Sequence, residues 1–431
     1  MSRLKRFATG TGITLVALSG LTGYWYKNHY VVPPEPVRNV TMPSPNGFDT
    51  LQEAVKLEVA RQGSVSTSPS REDPPTSLEQ RLALLEANKP AIEKTREALR
   101  QEFQQPVISW PGTAFPEYAK VREQARMLAF ASRTYAEVGN TTEAMDCALD
   151  AIELGVKLPR GGMLIGNLVG IACESIGQKA MWELADKLSP LEARAASERM
   201  TRIRAARWPF ANVLEEERLF ARQGTRATYA GGPIAAWKST GQLLDSTDQS
   251  VAAVEGMAGI EDAPKPTLAE QAQRLWARTQ VVYYGPKTTL ENGDRWMTAL
   301  QEQAKQPWNP SRPEPQMPTD PLNQIIAPVF SQASFKQVEI DARGALLEAY
   351  LLQRATLGDL TSSGEPLTLP TDPFSPDKAH LHYRMDGSTF ILWSVGPDGK
   401  DDNGKPIDME GKKGYVTAEK TGDIVARVNT F

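Results

Sequence analysis

The chain is 431 residues long, with 40% hydrophobic and 23% charged residues and a formal net charge of -4. That composition excludes global disorder, and the length exceeds what one compact unit usually holds, so two or three domains are expected. The slightly acidic balance lacks the clustered Lys and Arg that phosphate backbones attract, which argues against a nucleic-acid partner.

Arg3, Lys5 and Arg6 precede an uncharged run from Phe7 to Tyr26, close to the roughly 20 residues a helix needs to cross a bilayer. The basic side stays in the cytoplasm, and Tyr24, Trp25 and Tyr26 fall where an aromatic belt meets the far interface. The run has no A-x-A end and no following Cys to accept a lipid, so residues 1–30 read as an uncleaved, single-pass signal anchor with the bulk of the chain extracytoplasmic. The stretch Gly12-Ile13-Thr14-Leu15-Val16-Ala17 is similar to a prepilin processing site, but Ala17 stands where that site carries Glu.

Residues 31–47 are Pro-rich and read as an extended linker that holds the folded part off the membrane. An irregular α-helical scaffold is expected over 48–305. Phe48 to Arg61 places Leu51, Ala54, Val55 and Val59 on one helical face. Gln62 to Thr76 is a Ser- and Pro-rich loop, and Ser77 to Phe103 reads as two helices interrupted at Pro90. From Tyr118 to Leu158, the offsets of Leu128, Ala131, Tyr135, Gly139, Ala144, Ala148 and Ala151 resemble a tetratricopeptide-like helical repeat, with the turn at Gly139-Asn140. Met163 to Leu188 reads as a further hairpin broken near Gly177. Leu191 to Arg222, Ala235 to Leu244 and Leu268 to Tyr284 keep helical spacing. Cys147 and Cys173 lack CxxC spacing and read as core residues, with a disulfide as the alternative if their helices pair.

Gln306 to Pro321 holds six prolines, cannot be regular structure, and marks the expected linker (306–321) before a module over 322–431. There a helix runs from about Leu322 to Ala355, kinked at Pro328. After a loop ending in Leu369-Pro370-Thr371-Asp372-Pro373-Phe374 the pattern switches to strands: Leu381 to Arg384, Phe390 to Ser394 across an Asp386-Gly387 turn, and a third over Asp423 to Val428. The fold class is therefore α+β. Asp398, Asp401, Asp402 and Asn403 set hard oxygens within one Gly-flanked turn, which suits calcium; the plain alternative is that Asp-Gly and Asn-Gly pairs simply make turns.

The order helix, loop, Asp372-Pro373, strand with Tyr383, strand, Ser394-Val395-Gly396-Pro397-Asp398-Gly399 and a final Asp423-Ile424 resembles the globular head of type II secretion major pseudopilins, over roughly the last quarter of the chain. The resemblance implies one structural calcium ion, carried by Asp398 and Asp423, with Asp401 and Asp402 as further candidate ligands. The segment Lys405 to Thr421, with Lys405, Lys412, Lys413 and Lys420, departs from that pattern, and Asp408 is the candidate for a middle carboxylate.

Only three histidines are present. His380 and His382 read as one solvated strand face, and no Gly-x-Ser-x-Gly, H-E-x-x-H or P-loop pattern occurs. The expectation is a non-catalytic, membrane-anchored structural or interaction protein, with envelope or secretion-system proteins as partners. The alternatives are a glycan- or solute-binding envelope module, suggested by nine Trp, and a hydrolase with a carboxylate pair in the helical region.

Overall fold

A computed structural model describes residues 23–32, 34–35, 40–58, 77–107, 117–242, 244, 267–326, 329–356, 368–386, 389–408 and 416–430. These residues are predominantly helical and carry one small antiparallel sheet, which makes the chain α+β. No helix among them is long and apolar enough to cross a membrane. Residues 1–22 of the expected anchor lie outside the described residues, as do the loop residues 59–76 and Gly387 of the expected hairpin turn.

Helix α1 (Gly47–Leu57) starts at Asn46, whose side chain accepts from the Phe48 amide. Helix α2 (Leu78–Leu99) opens with a capping box, Ser77 with Gln80, and runs unbroken through Pro90, where two helices were expected. The proline removes one N–H from the ladder. Packing outweighs that loss: Asn88, Ala91, Ile92 and Thr95 are buried, and Asn88 donates to the Leu84 carbonyl while Thr95 donates to that of Ala91.

Helices α3 (Tyr118–Glu137) and α4 (Thr141–Lys157) form the expected hairpin, with Asn140 capping α4. Helix α5 (Leu164–Leu184) packs against both and is one continuous helix, not a hairpin broken at Gly177. Gly177 is there for proximity: a Cβ would stand 2.6 Å from the Ile152 amide nitrogen of α4. Glycine lets two helix backbones approach this closely, and the same residue read from sequence looks like a breaker. Helix α6 (Pro190–Ala205) has Pro at its first position and a Ser189–Glu192 capping box. Helix α7 (Phe210–Tyr229) and a further helix over 232–242 lead to α8 (Leu268–Ala304), which kinks where Gly285 takes φ 67° ahead of Pro286.

Helices α9 (Pro321–Ile326) and α10 (Val329–Thr356) follow, then strands β1 (His382–Asp386), β2 (Thr389–Ser394) and β3 (Ile424–Val425) in spatial order β1-β2-β3. All three expected strands are present, and Tyr383 pairs with Leu392 and Trp393 with Val425.

One apolar core runs from α4, α5 and α6 through α10 into the sheet, uniting Met181, Trp182 and Met200 with Leu346, Leu347, Phe374, Leu392 and Ile424. A second core joins α1 to α5 and contains Cys147 and Cys173, both buried and free. The proline stretch before α9 is docked on the first core: the Trp308 indole packs on Phe335 and Phe374 and donates to the Pro397 carbonyl at 2.7 Å. At the other end, residues 23–30 form a helix seated on the body. Tyr30 donates to the Val282 carbonyl at 2.9 Å, and Glu35 pairs with Arg222 and Arg226, both at 2.6 Å. Within the expected extended linker, Glu35 is thus fastened to α7.

Candidate cation-binding loop

Two buried aspartates shape the loops around the sheet. Asp372, the Asp of the Asp-Pro pair, accepts from Ser394 Oγ at 2.7 Å, the Val395 amide at 2.8 Å and the Phe374 amide at 3.0 Å. Those contacts explain why Asp-Pro and Ser-x-Gly occur together in this sequence: one carboxylate joins the loop before β1 to the end of β2. Burial raises the Asp372 carboxyl above its usual range, and the three donors pull it back.

Asp423 plays the corresponding part for the loop after β2. Its carboxylate receives the Gly404 amide at 2.7 Å and the Asp402 amide at 3.2 Å. Burial, reinforced by Asp401 and Asp402, pushes its pKa up to about 6 against those two amides. Backbone contacts with Lys405 and Ile407 hold Asp423 beside the chain leaving the loop.

Of the four predicted calcium ligands, Asp401 and Asp402 lie near enough to Asp423 to bear on its charge, but their carboxylates do not converge on it. Asp401 Oδ1 accepts from Trp393 Nε1 at 2.9 Å and from the Asn403 amide at 2.8 Å, while Oδ2 lies 3.3 Å from His382 Nδ1. Asp402 meets Asp423 through its amide. Asp398 turns onto its own loop, accepting from the Lys400 amide at 3.3 Å. Asp408 offers its carbonyl to Lys420. Among the described residues no three His, Cys, Asp or Glu side chains gather about a common point suited to a metal. The donors have the hard-oxygen chemistry calcium takes, and Asp423 sits where added positive charge is favourable, yet both its oxygens are already spent on amides.

The reading of His380 and His382 as one solvated face gives way to two separate roles. His382 stacks on the Trp393 ring, centroids 5.7 Å apart, and faces Asp401; His380 bonds the Leu369 carbonyl at 2.5 Å. Their pairing partners across the sheet, invisible in a linear pattern, separate them. The Pro- and Gly-rich linkage of Trp308 to Pro397 is another contact that spacing could not supply.

The helical region's buried carboxylates are closed by arginines. Arg207, following α6, reaches Glu174 of α5 at 2.7 Å and Asp341 of α10 at 2.5 Å. Burial pushes Glu174 upward and Arg207 pulls it down. Asp150 of α4 takes Arg96 of α2 at 2.8 Å and Arg199 of α6 at 2.6 Å, and Glu348 of α10 takes Arg204 and Thr201 of α6. The one signal for the clamps on Asp150 and Glu348 is arginine and carboxylate at positions the helical pattern turns inward. Burial raises the thiols of Cys147 and Cys173 to about 12, far from a reactive thiolate.

No protein family, no curated protein and no solved structure matches this chain.

Proposed function

We propose that this chain is a non-catalytic extracytoplasmic protein, anchored through residues 1–30, in which a helical array carries a small pseudopilin-like head and serves assembly or interaction at the cell envelope. A single structural calcium ion on the loop of Asp398, Asp401, Asp402 and Asp423 belongs to the same proposal.

The observation that supports this reading is the use made of buried carboxylates. Glu174, Asp150 and Glu348 each receive an arginine from a neighbouring segment, and Asp372 and Asp423 receive loop amides. Ionisable groups in the interior are committed to holding elements together. For calcium, the support is the crowding of Asp401 and Asp402 on Asp423, which a cation would relieve.

The test is thermal unfolding of the full chain in detergent, with calcium and with chelator, for the wild type and for Asp398→Ala. A melting temperature that rises with calcium, and loses that rise in the variant, is the expected result. Superimposable wild-type curves would remove calcium from the proposal and leave the loop as a set of Asp turns.

A further inference from the structure

In the first half of α8, Val281 is buried while large apolar side chains stand exposed. Val281 packs with Tyr30, Tyr229 and Ala236, whereas Trp276 and Tyr283 are 63% and 66% exposed and Leu275 is 56% exposed. Trp276 and Tyr283 are seven residues apart, about two turns, so they lie on one stripe of the helix. On the helix over 232–242, held to α8 by Arg278 stacked 3.4 Å over Trp237, Ile234 is 73% exposed. Single exposed apolar residues are ordinary, but an exposed aromatic stripe with further apolar side chains beside it calls for a partner.

The neighbouring element indicates which partner. Tyr30 donates to the Val282 carbonyl, His29 Nδ1 lies 3.2 Å from the Tyr284 carbonyl, and Gly285 is packed against His29. The helix over 23–30 is therefore seated one residue to either side of Tyr283. It is also the end of the uncharged run Phe7 to Tyr26. With Tyr24 to Tyr26 at the interface, a helical rise of 1.5 Å per residue puts Tyr30 no more than roughly 9 Å beyond Tyr24. The headgroup layer on one side of a bilayer is itself about 5–8 Å thick. The docked helix thus leaves no room for a long spacer between this face and the lipid.

We infer that the Trp276–Tyr283 stripe, with Leu275 beside it, lies in the headgroup layer of the bilayer crossed by the anchor, so that the body rests on the membrane. Tryptophan and tyrosine suit that layer because an apolar ring can enter it while the polar edge stays hydrated. The inference rests on the anchored reading of residues 1–30.

The test uses the full chain in phosphatidylcholine–phosphatidylglycerol vesicles, with single cysteines introduced as Trp276→Cys, Tyr283→Cys or Leu191→Cys and labelled with an environment-sensitive fluorophore. Cys147 and Cys173 are fully buried and stay unlabelled; Leu191, on α6, is 79% exposed and serves as the control. Blue-shifted emission and quenching by a headgroup spin-labelled lipid at both 276 and 283, but not at 191, is the expected result. Silence at both, a response at 283 alone, or a shift that grows with protein concentration without vesicles would overturn it, the last pointing to a second copy of the chain. Carbonate extraction of the same vesicles separates the two claims. An inserted chain with silent labels sinks only the membrane-resting face, whereas an extractable chain with responsive labels sinks only the anchor.

Discussion

Two carboxylates illustrate how differently the helical array and the sheet module use buried or half-buried acids. Glu192, at the start of α6, accepts from the hydroxyls of Thr141 and Thr142 and from Ser189, and these donors hold its pKa down to about 2. Asp423, between the loops of the sheet module, also accepts two amides, yet burial and two acidic neighbours push it up to about 6. Around Glu192, hydroxyl and backbone donors outweigh burial. Around Asp423, burial and two neighbouring acids outweigh the two amides. The two acids thus sit in opposite surroundings, Glu192 among hydroxyl donors and Asp423 beside two further acids.

The largest effect expected on the array side is at Arg207. Replacing it with Met leaves Glu174 buried without the guanidinium it shares with Asp341, and removing one partner of a buried pair costs about 3–5 kcal/mol. Urea unfolding followed by far-UV circular dichroism measures this. Glu174→Leu combined with Arg207→Met should recover most of the loss, because well-packed apolar residues can replace a buried pair. A single variant within about 1 kcal/mol of wild type would place the clamp among pairs that contribute little.

On the module side, Asp423→Ala leaves the Asp402 and Gly404 amides without acceptors, and a buried unpaired donor costs about 1–3 kcal/mol. Asp423→Asn keeps one oxygen and should cost less. The two variants also separate by pH. A carboxyl with a folded pKa above its unfolded value contributes stability that is complete below about pH 4 and lost as pH rises through about 6. Asp423→Asn lacks that decline, so its deficit relative to wild type should narrow between pH 4 and pH 6 without calcium. Calcium bound at the loop should abolish the narrowing. A deficit that is flat over this window would show that burial, with Asp401 and Asp402, does not raise Asp423.

Much of this arrangement was legible in the sequence, and the failures share one cause. Short-range signals held: the Gly139-Asn140 turn and the strands around Tyr383 and Trp393 follow from local chemistry. Pro90 and Gly177 were misread as breaks because the same residues serve tertiary packing, one tolerated inside a buried helix and the other admitting α4 against α5. The acidic loop was visible as a cluster, but its division of labour was not. Asp372 looked like part of a motif, and only its position against Ser394 and Val395 shows what the carboxylate holds. Arg207 belonged to no pattern, since its two acids lie on helices far apart in sequence.

The smallest expected effect returns to Glu192. Glu192→Gln keeps one acceptor oxygen, for the Ser189 amide, puts an NH2 group where Thr141 donates and gives up the charge, a change at the helix start that costs about 1 kcal/mol. Because the folded pKa lies below the unfolded one, the contribution of the native carboxylate is present above about pH 4.5 and lost as pH falls through about 2. The slope is opposite in sign to that of Asp423, so one urea titration series from pH 2 to pH 7 on the two Gln and Asn variants tests the whole contrast. If Glu192→Gln showed no pH-dependent deficit, the donors around Thr141 would not be holding the charged form. Glu192 would then lose its claim to a surplus of donors, and the difference between the two acids would reduce to Asp423 alone.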